Sequence, residues 1–239
     1  MIPWLTRDCI FPDPQTALRE PNGLLAAGGD LSARRLIEAY RHGIFPWYSV
    51  GDPILWWSPN PRMVLVPAEF KISRSLARTL RNADYEVSLD KAFAEVIHRC
   101  ANTARHGQPG TWINADMQAA YLHLHALGYA HSVETWVAGE LAGGLYGVAV
   151  GGMFFGESMF SCRTNASKIA FAHLCRRLTQ HSFGIIDCQM ETTHLASLGA
   201  RTVPRREFIT ALGHLVSQGE SAGKWPVGEM LHAFRGSAA

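Results

Sequence analysis

His131-Ser-Val-Glu-Thr-Trp-Val137, Leu141-Ala-Gly-Gly-Leu-Tyr-Gly-Val-Ala-Val150 and Met153-Phe-Phe-Gly-Glu-Ser-Met-Phe160 decide the fold. The first stretch alternates in polarity and breaks at Ala138-Gly139-Glu140; the second breaks at Gly151-Gly152. Three short strands separated by glycine turns form an antiparallel meander. Downstream, a helix over about 165–182 ends before Gly184. A buried strand, Ile185-Ile186-Asp187-Cys188-Gln189-Met190, a short helix at 194–198 and a last helix at 207–217 follow. Upstream, Asn114 can cap a helix running through Tyr121 and Leu122 to Gly128. Asp90 can cap another, whose apolar face is Phe93, Val96, Ile97 and Cys100 at spacings of three and four. A helix over 73–81 and a strand over 63–66 complete an α+β pattern from Met63 onward.

Residues 1–62 differ. They hold eight of the 12 prolines and four of the 7 tryptophans. Proline fixes φ and removes a donor, so this segment is expected to be loop-rich, a small layer built around aromatic side chains. One helix is expected inside it, over 32–42, with Leu36 and Tyr40 four apart and Gly43 as its stop. The division is therefore a small N-terminal domain, 1–62, and a larger domain, 63–235. The tail Gly236-Ser-Ala-Ala is expected to fray.

Of the 239 residues, 47% are hydrophobic and 18% charged, which excludes general disorder. No apolar run approaches the ~20 residues that span a bilayer. The first residues, Met1-Ile2-Pro3-Trp4-Leu5-Thr6-Arg7-Asp8, lack a basic then apolar order, so no signal peptide is expected. Five cysteines without paired spacing point to reduced thiols and a cytoplasmic protein. The net charge of +2 does not advertise nucleic-acid binding, although a local basic patch can still carry phosphate contacts. GxxxxGK[ST], GxGxxG after a strand, GxSxG and paired metal-ligand spacings are all missing. Chemistry without a cofactor or a metal is expected.

Four constellations could carry chemistry. Asp187 and Gln189, two apart on a core-facing strand, share one face and must be hydrogen-bonded or cost on the order of 1–3 kcal/mol each. They could equally lie at the strand's solvated end and cap a neighbouring helix. Glu157 and Ser158 interrupt an apolar strand, either beside a pocket floored by Phe155 and Met159 or on an outward face. Gly43-Ile-Phe-Pro-Trp47-Tyr48 with Trp56-Trp57-Ser58-Pro59 could stack on bases or form a small core. Arg74, Arg78 and Arg81 form one helix stripe, suited to phosphates or to solvent.

Longer blocks identify a family. Arg19-Glu-Pro-Asn-Gly-Leu-Leu-Ala-Ala-Gly-Gly-Asp-Leu31, Tyr40-Arg-His-Gly-Ile-Phe-Pro-Trp47, Pro53-Ile-Leu-Trp-Trp-Ser-Pro59, Gly156-Glu-Ser-Met-Phe-Ser161, Asn165-Ala-Ser-Lys168, Ile186-Asp-Cys-Gln189 and Ser197-Leu-Gly-Ala200 resemble the leucyl/phenylalanyl-tRNA–protein transferases, in order and over nearly the whole chain. The resemblance implies a larger domain of the acetyltransferase (GNAT) type, with a mixed, largely antiparallel sheet flanked by helices. It implies an enzyme that moves Leu, Phe or Met from aminoacyl-tRNA to a protein beginning with Lys or Arg, marking it for N-end-rule degradation. A monomer without a cofactor is expected.

The resemblance also assigns residues. Asp187 and Gln189 match the catalytic aspartate and glutamine, the former polarising the latter for attack by the α-amine. Trp47, Tyr40, Trp112, Tyr121 and Glu157 match positions around the terminal adenosine and aminoacyl group. Leu145, Phe155, Met159, Phe171 and Ile186 fall on or beside the apolar pocket. Glu157 and Asp187 are the candidates for facing the acceptor's basic side chain, and the Arg74, Arg78, Arg81 stripe for tRNA phosphates. An acetyltransferase-fold enzyme with another acyl donor and a non-catalytic tRNA-binding module are the alternatives.

Overall fold

The computed structural model describes residues 2–6, 8, 10–103, 112–217, 225–232 and 234. The tail 236–239 lies outside the described residues. The first sixty residues run mostly outside helices and strands, as their prolines lead one to expect, around the buried Tyr40, Phe45 and Trp56, but they also form a small sheet. Strands β1 (Trp4–Leu5), β2 (Leu24–Gly28), β3 (Phe45–Pro46) and β4 (Leu55–Trp57) form a sheet in the order β1-β2-β4-β3. The strands are two to five residues long, too short for a period to register. Helix α1 (Ala33–Arg41) follows β2, capped by the Ser32 hydroxyl, and buries Leu36 and Tyr40 as their spacing requires.

The second sheet holds β5 (Arg62–Leu65), β6 (Glu86–Leu89), β7 (Ala130–Val137), β8 (Glu140–Val150), β9 (Met153–Ser161), β10 (Ile185–Gln189) and β11 (Arg201–Val203). Its order is β11-β5-β10-β9-β8-β7-β6. The expected meander is its centre. Only β9 and β10 pair in parallel, because α5 (Ala166–Gln180) carries the chain back between them. Helix α5 and α2 (Arg74–Asn82) cover one face with Leu76, Leu80, Phe171 and Leu174. On the other face pack α3 (Phe93–Asn102), α4 (Ala115–Ala126), α7 (Arg205–Val216) and the aromatic layer of residues 1–62. The short α6 (Thr193–Ser197) links β10 to β11.

One local expectation changes. Asn114 caps α4 through Met117 N–H as expected, but Asp90 does not cap α3. Its carboxylate turns to His131 and to the Ser132 N–H, and α3 starts without a side-chain cap. The apolar face of α3 is unaffected, since packing rather than the cap sets it.

The decisive irregularity lies in β9. Tyr146 on β8 pairs with Ser158 and Gly147 with Gly156, so Glu157 is the extra residue of a β-bulge. A side chain on Gly147 would collide with the Phe155 carbonyl oxygen, so glycine permits this close approach. The bulge reverses the side-chain phase. Phe155 and Phe160, five apart, share the α3/α4 face, while Met159 joins Leu145 on the α5 face.

Candidate active site

Where β9 passes its bulge, its register with β10 ends at Asp187 opposite Phe155, yet β9 continues to Ser161 along β8. The two strands fork there, and Gly156, Glu157, Ser158 and Met159 are all partly exposed, in contrast to the buried Met153-Phe154-Phe155 before them. The fork sets Glu157 toward α1 and α4. Tyr40 from α1 holds Glu157 Oε1 at 2.7 Å, and Tyr121 from α4 holds Oε2 at 2.9 Å. The two hydroxyls lie 2.5 Å apart. Gln189 Nε2 reaches Glu157 Oε1 at 3.4 Å. Three residues from three other elements thus converge on the Glu157 carboxyl group.

Electrostatics follow from burial. Desolvation pushes the Glu157 carboxyl from 4.5 up to about 7, against the pull of the two tyrosine hydroxyls. Burial, followed by the nearby Glu157 charge, holds both Tyr40 and Tyr121 well above ordinary phenols, so both keep their protons. Burial also pushes the Cys188 thiol far up, so this strand offers no thiolate nucleophile.

Asp187 finds its partner on β5. It is fully buried and takes a two-pronged ion pair from Arg62, Nε to Oδ1 at 2.8 Å and Nη2 to Oδ2 at 2.6 Å. Arg62 is itself fully buried, with its guanidinium between the Phe45 and Phe208 rings at 4.9 and 4.7 Å. Asp187 reaches Gln189 not through the side chain but through the main chain, accepting from Gln189 N–H at 2.9 Å. That bond holds Gln189 in a left-handed conformation, φ 56°, beside a register shift against β5. A non-glycine residue in that region costs about 1–2 kcal/mol, and the Arg62–Asp187 pair supplies the constraint that holds it. Asp187 thus ties Arg62 to the Gln189 main chain. Its charge is spent on Arg62, so it cannot also face an acceptor's basic side chain.

The other expected residues divide by sheet face. Trp47 and Trp112 pack, partly exposed, against the cluster that contains Tyr40, Tyr121 and Phe155. The tryptophans of residues 1–62 take separate roles: Trp56 is wholly buried and bonds the Gly28 carbonyl, whereas Trp47 keeps an exposed edge against Trp57. Leu145, Phe171 and Ile186 are buried on the α5 side, where Met159 sits half-exposed directly across from Leu145. Phe155 does not join them. It packs against Tyr40 on the opposite face, ring centroids 4.8 Å apart, because the bulge separates it from Met159. Arg74, Arg78 and Arg81 are exposed on α2.

Arg62 is the residue that sequence reading missed. Its signal was present: Asp187 on a buried strand required a partner, and Arg62 stands at the mouth of the expected strand 63–66. Strand order alone brings β5 beside β10. Among the described residues, no group of three or more His, Cys, Asp or Glu could hold a metal ion, and no helix is long and apolar enough to cross a membrane.

A carboxyl held by two tyrosine hydroxyls, an amide beside it and tilted or edge-on aromatic rings gather at one strand fork, the kind of polar cleft that can bind and orient a reacting group. A family model described as leucyl/phenylalanyl-tRNA protein transferase matches residues 64–213, and that of its N-terminal domain matches 29–60. The chain is 61% identical to the leucyl/phenylalanyl-tRNA–protein transferase of Nitrosospira multiformis, over 94% of this chain and 97% of that one. It is 59% identical to that of Chromobacterium violaceum, over 94% and 96%. Among solved structures, a GCN5-related N-acetyltransferase from Kribbella flavida aligns with 69% of this chain and 58% of its own, at 11% identity and a TM-score of 0.36. The chain belongs to the leucyl/phenylalanyl-tRNA–protein transferase family.

Proposed function

We infer that this chain transfers an aminoacyl group from a charged tRNA to the N-terminal amine of a protein. What carries the reading is the near-full-length identity to transferases of that name, together with the convergence of Glu157, Tyr40, Tyr121 and Gln189 at the fork. The donor ester is already activated, so no nucleotide hydrolysis is needed. An α-amine with a pKa of ~7.7–8.0 is partly neutral near pH 7 and can attack directly. A glutamine amide is a very weak base, so Gln189 orients the amine by hydrogen bonding. The Arg62–Asp187 pair holds Gln189 in place, and positioning supplies much of the acceleration.

The terminal adenosine stacks on Trp47 and Trp112, with the small 1–62 layer contributing Tyr40 and Trp47 and the 63–235 layer the rest. Met159 at the fork, with Leu145, Phe171 and Ile186 behind it, receives the amino-acid side chain. An apolar hollow discriminates by ~1–3 kcal/mol per methylene, which favours Leu, Phe and Met and disfavours β-branched side chains. The acceptor begins with Lys or Arg, the product enters N-end-rule degradation, and the enzyme acts as a cytoplasmic monomer. The Arg74, Arg78, Arg81 stripe follows the tRNA phosphates. The test is a mixture of labelled Phe-tRNA and a peptide beginning with Arg. Label on the peptide is the expected result, and tRNA binding without it would leave only a binding module.

A further inference from the structure

The oxygen triangle at the fork does not balance if Glu157 is ionised. Three contacts join three groups: Tyr40 to Glu157 at 2.7 Å, Tyr121 to Glu157 at 2.9 Å and Tyr40 to Tyr121 at 2.5 Å. Two hydroxyls bring two protons. If both donate to a carboxylate, the 2.5 Å contact between the tyrosines has no proton in it and sets two lone pairs against each other. Hydroxyl oxygens approach that closely only through a hydrogen bond. A third proton removes the conflict. Glu157 donates to one tyrosine, that tyrosine to the other, and the second back to the free carboxyl oxygen, closing a ring with one proton per contact.

We propose that Glu157 rests as a neutral carboxylic acid in this ring and is the proton donor to the ribose oxygen that leaves during transfer. This rests on the functional reading above. The attacking amine forms the C–N bond and the ester C–O bond breaks. The departing ribose oxygen takes the Glu157 proton, and the surplus proton on the new amide nitrogen returns to the Glu157 carboxylate. The net movement is one proton from amine to ribose. While Glu157 is ionised, both tyrosines donate to it and their mutual contact loses its proton. The ring therefore stabilises the carboxylate briefly and favours its reprotonation.

The groups that face Glu157 fit this cycle. Tyr40 on α1 and Tyr121 on α4 keep their protons, and Tyr146 on β8 packs edge-on against Tyr121, centroids 5.5 Å apart. Asp187 on β10 and Arg62 on β5 act on Glu157 in opposite senses and are paired with one another. Gln189 is uncharged. The cation that acts on Glu157, Arg62, is committed through two of its nitrogens to Asp187.

The test has two arms. In the free wild-type protein labelled with 13C at glutamate carboxyls, the resonance lost in Glu157→Gln is expected to titrate near neutrality. A resonance already ionised from about pH 5 upward, like an ordinary glutamate, overturns the resting state. In single-turnover transfer from Phe-tRNA to an Arg-initiated peptide, Glu157→Gln keeps a closed ring, because its amide can donate and accept. It is expected to bind charged tRNA as the wild type does and to transfer ~10²–10³-fold more slowly, the range of general acid catalysis. Transfer at the wild-type rate overturns the donor role. If the wild type itself moves no label, the functional reading falls along with the donor role, while the titration arm still decides whether Glu157 rests protonated.

Discussion

Two glutamates stand on the strands that flank β8, Glu134 on β7 and Glu157 on β9, and desolvation pushes both carboxyls up. Glu134 on β7 is sealed. Ser88 and Ser132 donate to it at 2.6 and 2.5 Å, the Ala92 N–H at the start of α3 adds a third contact, and no surface is exposed. Beside it, Asp90 is closed off by His131 and the Ser132 N–H. Glu157 stands instead on a bulge at a strand fork, partly exposed, with partners that hold one proton too few for their contacts. A perturbed carboxyl alone therefore does not mark a site. An opening beside it, and partners that can exchange protons, do.

The contrast can be broken most severely at Arg62. Arg62→Met leaves the Asp187 charge buried and alone, and is expected to cost about 3–5 kcal/mol in thermal or urea unfolding and to abolish transfer. The double variant Arg62→Met, Asp187→Leu is expected to regain most of that stability without regaining transfer, since Gln189 loses its anchor. Wild-type transfer by the double variant would detach the pair from the site. Next in size, Glu134→Gln leaves a buried hydroxyl poorly matched and is expected to lower stability by about 1–3 kcal/mol, with transfer per folded molecule unchanged. A fall in that rate would make the sealed region functional as well.

Stability against pH sharpens the comparison further. Glu157 rises from 4.5 to about 7 on folding, so the folded state holds its proton more tightly. Its contribution is full below about pH 4.5 and is lost as pH rises through 7. His173 on α5 runs the other way, because burial lowers it from 6.5 to about 3. Its contribution is present above pH 6.5 and is lost as pH falls toward 3. Glu157→Gln is expected to flatten the upper limb of the unfolding midpoint plotted against pH, and His173→Gln the lower. Matching curves for wild type and both variants would contradict the assignments. The smallest effect belongs to the α2 stripe: Arg78→Ala is expected to weaken tRNA binding modestly and to reduce the salt slope of log affinity by about one. An unchanged slope would place Arg78 outside the phosphate path.

Much of this molecule is legible in its sequence. The meander over 131–160, α1 with Leu36 and Tyr40 inward, the apolar face of α3 and the Asn114 cap all follow from local periods and turn chemistry, which a chain carries in its own order. Of the residues meeting at the fork, Glu157 and Gln189 stand out as polar residues within apolar strands, whereas Tyr40 and Tyr121 are singled out only by the family resemblance. The four-stranded small sheet is not legible, because strands of two to five residues leave no period to read.

The chain's own order thus determined the elements and the residue types available for chemistry. Only the tertiary structure decided their partners. One extra residue at Glu157 sends Phe155 and Met159 to opposite faces, and a bulge depends on the facing strand, not on its own residues. The placement of β5 beside β10 gives Asp187 to Arg62, since a buried charge settles with whichever counterion the strand order brings within reach.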